Sequence, residues 1–206
     1  DRVATKQFSI CGYCGFCTSM DDTRCPYRRS TRGGFAEYVA VEDGGVIKVP
    51  EEVDLVASSV VACAIGTCLK AIRHKAKITH GESVVVTGAG GGLCIHALQI
   101  VKSLGAHTVA ITSSPHKVDA IRQYGADEVI VAKETDYWEE IVRASGGEGP
   151  QVVIDTVGHP DLFKPCFRAL VREGRYVFIG QVYRLKVEFY PAFIFRGATI
   201  TGSRPP

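Results

Sequence analysis

The alternation of apolar and polar positions divides the chain near Asp54. Before it, apolar runs are short. FAEYVAV (35–41) reads as a strand-like run, and GGVIKVP (44–50) opens on Gly-Gly and closes on Pro, so this part predicts short strands and loops. Beyond it, VDLVASSVVACAIGTCLKAIRHKAKI (53–78) is long and apolar on one face and predicts helix. A regular alternation follows. ESVVVTG (82–88) carries the unbroken β-branched run of a strand buried on both faces. GGGLCIHALQIVKSLG (90–105) then reads as a helix closed by Gly105, with Cys94, Leu98 and Val101 on one face. HTVAITS and PHKVDAIRQYG repeat the pair, as do DEVIVA and TDYWEEIVRASG, where Thr135 or Asp136 is the expected helix cap. QVVIDTVG, PDLFKPCFRALVREG and RYVFIG supply a further strand, helix and strand, and GATITGS a sixth strand. Strand and helix in strict turn, joined by short Gly-rich links, predict an α/β fold with a doubly wound parallel sheet of about six strands.

The first strand meets its helix at VVVTGAGGGLC. Gly88, Gly91 and Cys94 keep a three-residue rhythm, with Gly90, Gly92 and Leu93 between them. Such a turn lets a pyrophosphate approach a helix N-terminus, where free N–H groups and the helix dipole favour anions. The strand before and the helix after are the context a dinucleotide site requires. The third small position holds Cys94 instead of glycine, which predicts a helix displaced slightly outward. Sites for NAD usually place an acid about 20 residues beyond the turn. Here AITSSPHK offers Thr112, Ser113, Ser114 and Lys117 and no acid, a set suited to the 2′-phosphate of NADP(H). Ser113 as a cap of the next helix and Lys117 as a solvated side chain are the plainer alternatives.

Composition adds little until the cysteines. Net charge is +2 over 206 residues, which gives no electrostatic case for nucleic acid or a membrane surface. No apolar run approaches the roughly 20 residues of a membrane span. The chain lacks Asn and has one Met, a depletion seen in thermophiles, although eight cysteines point the other way. Four of them, Cys11, Cys14, Cys17 and Cys25, are spaced C-x2-C-x2-C-x7-C. Clustered cysteines in a chain without a visible secretory leader favour metal over disulfides. Four thiolates close a tetrahedral zinc shell with no open position. An iron–sulfur cluster and a C-x-x-C redox pair are the rivals, but the last gap does not fit a ferredoxin run and a redox pair needs no further cysteines.

The cysteine spacing, GGFAEYV (33–39), VVACAIGTCLKAI and VVVTGAGGGL, in that order, resemble the zinc-containing alcohol dehydrogenases of the medium-chain dehydrogenase/reductase superfamily. The resemblance implies part of a GroES-like catalytic domain over 1–60 and a Rossmann coenzyme domain over 61–206. It also implies that Cys11, Cys14, Cys17 and Cys25 hold a structural zinc, that Cys63 is a ligand of a catalytic zinc, and that Thr67 lies near the nicotinamide. Asp155, Gly158, Gly180 and Gln181, at strand ends where such sheets bind ligands, are expected beside the cofactor. Read alone, Cys63 would be a buried core cysteine and Asp155 a turn acid. The family's Gly-His-Glu is missing: none of the six histidines, His74, His80, His96, His107, His116 and His159, stands in that motif. The start within a strand and the stop after the sixth strand lead us to expect a fragment of a longer enzyme. The implied activity is hydride transfer between NADP(H) and an alcohol or carbonyl substrate, in a cytoplasmic homodimer or homotetramer. TGAGGGLCIHALQ and ITSSPHK also resemble the acryloyl-coenzyme A and quinone reductases, which reduce activated double bonds and include members without catalytic zinc. A catalytically silent, zinc-stapled dinucleotide-binding module is the remaining alternative.

Overall fold

The computed structural model describes residues 1–19, 21–132, 136–181 and 194–204, which fall into two compact units divided between Thr67 and Cys68. The first unit has four short strands, β1 (Val3–Thr5), β2 (Phe8–Ser9), β3 (Arg29–Ser30) and β4 (Val46–Lys48). They pair as two antiparallel ribbons, β1 with β4 and β2 with β3. A four-residue helix, α1 (Gly15–Thr18), sits inside the cysteine loop. The run 35–41 is not a strand, and Phe35 and Tyr38 are exposed. No backbone bond joins it to another strand among the described residues, and a strand-like run without a paired neighbour does not become sheet.

The predicted long helix is broken. Asp54 caps α2 (Leu55–Ser58), its carboxylate accepting from the Ala57 amide at 2.8 Å. After Ser59 and Val60 the chain rewinds with wide turns over Val61–Ile65, where the Ile65 amide reaches back five residues to the Val60 carbonyl. α3 (Gly66–Leu69) follows in sequence, then a second wide-turned stretch, Lys70–Ala76. Crowding among β-branched Val60, Val61 and Ile65 disfavours the tighter α winding.

The second unit is the alternation foreseen: β5 (Ser83–Thr87), α4 (Gly92–Ser103), β6 (His107–Thr112), α5 (Val118–Gln123), β7 (Glu128–Val131), α6 (Trp138–Ala144), β8 (Val152–Asp155), α7 (Pro160–Ala169), β9 (Arg175–Phe178) and β10 (Thr199–Gly202). All six strands run parallel in the order β10-β9-β8-β5-β6-β7. The order reverses between β5 and β8, which is where doubly wound sheets open a crevice for ligand. Alternate residues of β5 feed opposite faces. Val84 and Val86 pack with Leu98, Val101 and Ile121, and Val85 packs with Phe163, Phe167 and Tyr176.

Two helix ends differ from expectation. Asp136 does not cap α6; Tyr137 precedes the helix without a side-chain cap, and the Asp136 carboxylate accepts instead from Arg168 at 3.1 Å. Thr135 lies outside the described residues. α7 stops at Ala169, because Leu170 turns extended and Glu173 adopts a left-handed φ of 58°. Among the described residues no helix is long and apolar enough to cross a membrane.

Phe163 stacks on Phe167 at 5.2 Å and meets the Tyr176 ring edge at 5.0 Å, all three buried. Phe163→Ala is expected to lower unfolding free energy by about 3–5 kcal/mol, read from denaturant unfolding.

Candidate functional site

The glycine turn leaves β5 at the switch point. Gly88 has φ +68°, and a Cβ there would lie 2.6 Å from Val157 and 2.9 Å from the Thr156 hydroxyl, so both conformation and space demand glycine. Gly91 is the N-cap of α4. A Cβ at Gly92 would meet nothing within 4 Å, so the first turn of α4 is open. The amides of Gly90, Gly92 and Leu93 have no backbone acceptor among the described residues. Together with the dipole of a twelve-residue helix, they form a set of donors suited to an anion.

A cation stands at the same turn. The Lys117 ammonium donates to the Gly90 carbonyl at 2.9 Å, so this lysine is not a free surface side chain. Thr112 is buried, and its hydroxyl accepts from the Ser114 amide at 3.1 Å, while Ser113 is exposed. Ser114, not Ser113, precedes the next helical turn, and it makes no side-chain cap bond.

Beneath the turn lies a buried network that the sequence pattern did not single out. Asp155 is fully buried, and its Oδ1 accepts from the Thr87 hydroxyl at 2.8 Å and from the amides of Val157 and Gly158 at 2.9 Å each. Oδ2 accepts from the Tyr176 hydroxyl at 2.8 Å. Burial first, then the neighbouring Cys166 and Asp155, pushes the Tyr176 phenol well above its ordinary pKa, so it stays a donor. The Asp155 carboxylate thus ties the ends of β5 and β8 to Tyr176 within β9. Gly180 is needed for close approach, since a Cβ there would lie 2.6 Å from the Val157 carbonyl carbon. Gln181 is exposed. Cys94 fits beneath the turn: it is 1% exposed, its Sγ lies 3.2 Å from the Thr87 carbonyl and 2.9 Å from the Thr156 hydroxyl, and burial pushes the thiol pKa up. The available signal for this network was Thr87, a polar residue ending an apolar strand.

In the first unit the structure brings four sulfurs together. The Sγ atoms of Cys11, Cys14, Cys17 and Cys25 all lie within 4.8 Å of one another. Cys14, the N-cap of α1, and Cys17 within the helix are three residues apart with their sulfurs at 3.5 Å. Cys11 lies 3.9 Å from Cys17 and 3.7 Å from Cys25. A tetrahedral shell with metal–sulfur bonds of about 2.3 Å has edges of about 3.8 Å, so the group can hold a single ion. An iron–sulfur cluster interposes iron and sulfide between its thiolates and needs them farther apart. Burial and the adjacent Cys14 thiol push Cys17 up to about 12. Cys63 is exposed, so it is no core cysteine, and it joins no group of three or more potential ligands among the described residues. Thr67 is buried, and its hydroxyl has no hydrogen-bond partner among the described residues.

Two family models match. Residues 1–51 fit the alcohol dehydrogenase GroES-like domain, and residues 92–205 fit zinc-binding dehydrogenase, more than half of the chain. The chain belongs to the zinc-binding dehydrogenases of the medium-chain dehydrogenase/reductase superfamily. It is similar to the acryloyl-coenzyme A reductase of Sulfurisphaera tokodaii (34% identical, over 92% of this chain and 57% of that protein). It is also similar to the alcohol dehydrogenase of Geobacillus stearothermophilus (32% identical, over 98% of this chain and 60% of that protein). The crystal structure of AibC superposes with a TM-score of 0.89 at 31% identity, over 99% of this chain and 63% of that one. This family member therefore spans less than two thirds of the relatives it matches.

Cys94 is closed in on every side by the Thr87 carbonyl, Thr156 and the α4 backbone. Cys94→Leu is expected to destabilise the second unit by about 1–3 kcal/mol through overpacking, and Cys94→Ala by less, compared by denaturant unfolding.

Proposed function

We propose that the chain forms the coenzyme-binding and structural-metal part of an NADP(H)-preferring oxidoreductase that moves hydride between coenzyme and an alcohol or carbonyl. The observation carrying this reading is the glycine turn at the sheet's switch point, with three idle amides and the Lys117 ammonium beside them. Gly88, Gly90, Gly91, Gly92 and Leu93 would take the pyrophosphate. Thr112, Ser113, Ser114 and Lys117 would take the 2′-phosphate, where no acid competes for it. Asp155, saturated by its own protein bonds, acts as a positioning residue; Gly158, Gly180 and Gln181 line the loops that it holds. The coenzyme, when bound, supplies the hydride.

Cys11, Cys14, Cys17 and Cys25 are proposed to hold zinc as a closed shell that cross-links the loop and accepts no substrate. Cys63, exposed and unclustered, remains available as one thiolate ligand of a second metal in the whole protein, with Thr67 close to it in sequence. Thiolates kept available for metal suit a reducing compartment, and the cytoplasm is the proposed location. Among the described residues β10 is an edge of the six-stranded sheet, and a homodimer or homotetramer paired through such an edge is the proposed assembly.

A second reading, NADPH-dependent reduction of an activated double bond, is favoured by the 34% identity to an acryloyl-coenzyme A reductase. Assaying the whole protein with alcohols and with enoyl thioesters separates the two, since turnover of the thioester alone would replace the first reading with the second.

Lys117→Glu is expected to weaken NADPH binding about tenfold or more while changing NADH binding far less, measured by titration of nicotinamide fluorescence. Equal losses for both coenzymes would overturn the 2′-phosphate assignment. Metal analysis of this chain is expected to find one zinc per chain, and Cys14→Ala should lose that zinc and lower the lobe's thermal stability. Bound iron with sulfide would overturn the zinc assignment.

A further inference from the structure

At the opposite edge of the parallel sheet from the glycine turn, the second unit has a cleft of about 490 Å³ that the proposed reaction does not use. Its place follows from the topology. Glu148 precedes β8, Arg172 lies in the connection from α7 to β9, and Arg196 precedes β10, so the cleft sits by the amino ends of β8, β9 and β10, whereas the glycine turn leaves the carboxyl end of the parallel strand β5.

Two features define its chemistry. Three arginines, Arg168, Arg172 and Arg196, line it beside one acidic residue, Glu148, and of the three Arg168 is already paired, with Asp136. Among the described residues neither Arg172 nor Arg196 is paired with a carboxylate, and Glu148 pairs with none of the three. Two of the cations are held in place. Arg168 lies over the Trp138 ring at 4.2 Å and is anchored to Asp136, and Arg196 donates to the carbonyls of Arg168 and Leu170 at 2.8 and 2.7 Å. Such fixing lowers the entropy that a ligand would otherwise have to remove. The wall between them is apolar: Trp138, Leu170 and Phe195, the last 76% exposed to solvent. Gathering like charges around apolar surface opposes itself unless a counter-ion with a matching apolar part sits there. The volume lies within the range of small-molecule sites.

We infer that this cleft binds an organic anion with an apolar body, of the alkyl or aryl phosphate or carboxylate class, at a site separate from that of the coenzyme. Guanidinium forks at the rim would take the anionic head, and the Trp138–Phe195 wall would cover the apolar body.

Trp138 is the only tryptophan of this chain, so its emission reports on the cleft. Titration of the protein with octyl phosphate is expected to change that emission saturably. Inorganic phosphate and octanol should each bind about tenfold more weakly or worse. Arg172 is exposed and makes no hydrogen bond or ion pair among the described residues, and Arg172→Glu should weaken octyl phosphate binding about tenfold while leaving the thermal unfolding midpoint and NADPH affinity unchanged. No saturable change, an undiminished response in Arg172→Glu, a response as strong to octanol, or persistence of the signal in Trp138→Phe would each overturn the inference. Displacement of octyl phosphate by NADPH would overturn it as well, by placing the response at the dinucleotide turn. That outcome would leave the coenzyme reading standing, whereas loss of NADPH binding alone would leave the cleft standing.

Discussion

A carboxylate with no access to water is costly unless every lone pair it turns inward is met by a donor. Asp155 meets that condition through one threonine, two backbone amides and one tyrosine that arrive from β5, β9 and the loop beyond β8. The geometry of the crevice follows from this one side chain. Thr87 is drawn to it at the last residue of β5, one position before Gly88, so the start of the glycine turn is set by the same carboxylate that shapes the loop facing it. Cys94 and Thr156 close the gap above, and the turn is pinned from β6 as well by the Ala89 amide on the Ile111 carbonyl. A rigid floor of this kind lets a helix terminus hold unsatisfied amides without collapsing onto its own side chains.

The fold of the second unit was legible in the sequence because each of its elements reports itself locally. Continuous β-branched runs mark strands covered on both faces, glycines mark helix exits, and the strict turn-taking of the two admits few topologies. The first unit was less legible. Its elements are two to five residues long, below the length at which periodicity carries information, and FAEYVAV shows that a strand-like run is only an offer to pair. The wide turns after Val60 were hidden for another reason: apolar spacing tells which face is buried, not whether the winding repeats every four residues or every five.

Within the candidate site, spacing was enough for the four thiols and the glycines, since both depend on backbone geometry that the chain encodes nearby. It was not enough for Asp155, whose partners Thr87 and Tyr176 are brought to it by sheet register. Composition alone could not say where the Cys94 sulfur goes, which is between the Thr87 carbonyl and the Thr156 hydroxyl. The arginine cleft was invisible for a reason like that at Asp155. Arg168 and Arg172 stand only four residues apart, but Trp138 and Arg196 come from distant segments, and nothing in a linear reading brings these to them.

The contact between Lys117 and the Gly90 carbonyl bears on kinetics as much as on affinity. A tethered ammonium and a fan of idle amides form an attractive field that exists before any polyanion arrives, fixed on strands and helix ends instead of on a loop that must first fold. Under the proposed function, capture at this turn would be governed by diffusion and by the salt that screens the field, with little waiting time for rearrangement. Under that reading the lysine would trade its carbonyl for the incoming phosphate, one short bond for another, and return to it on release.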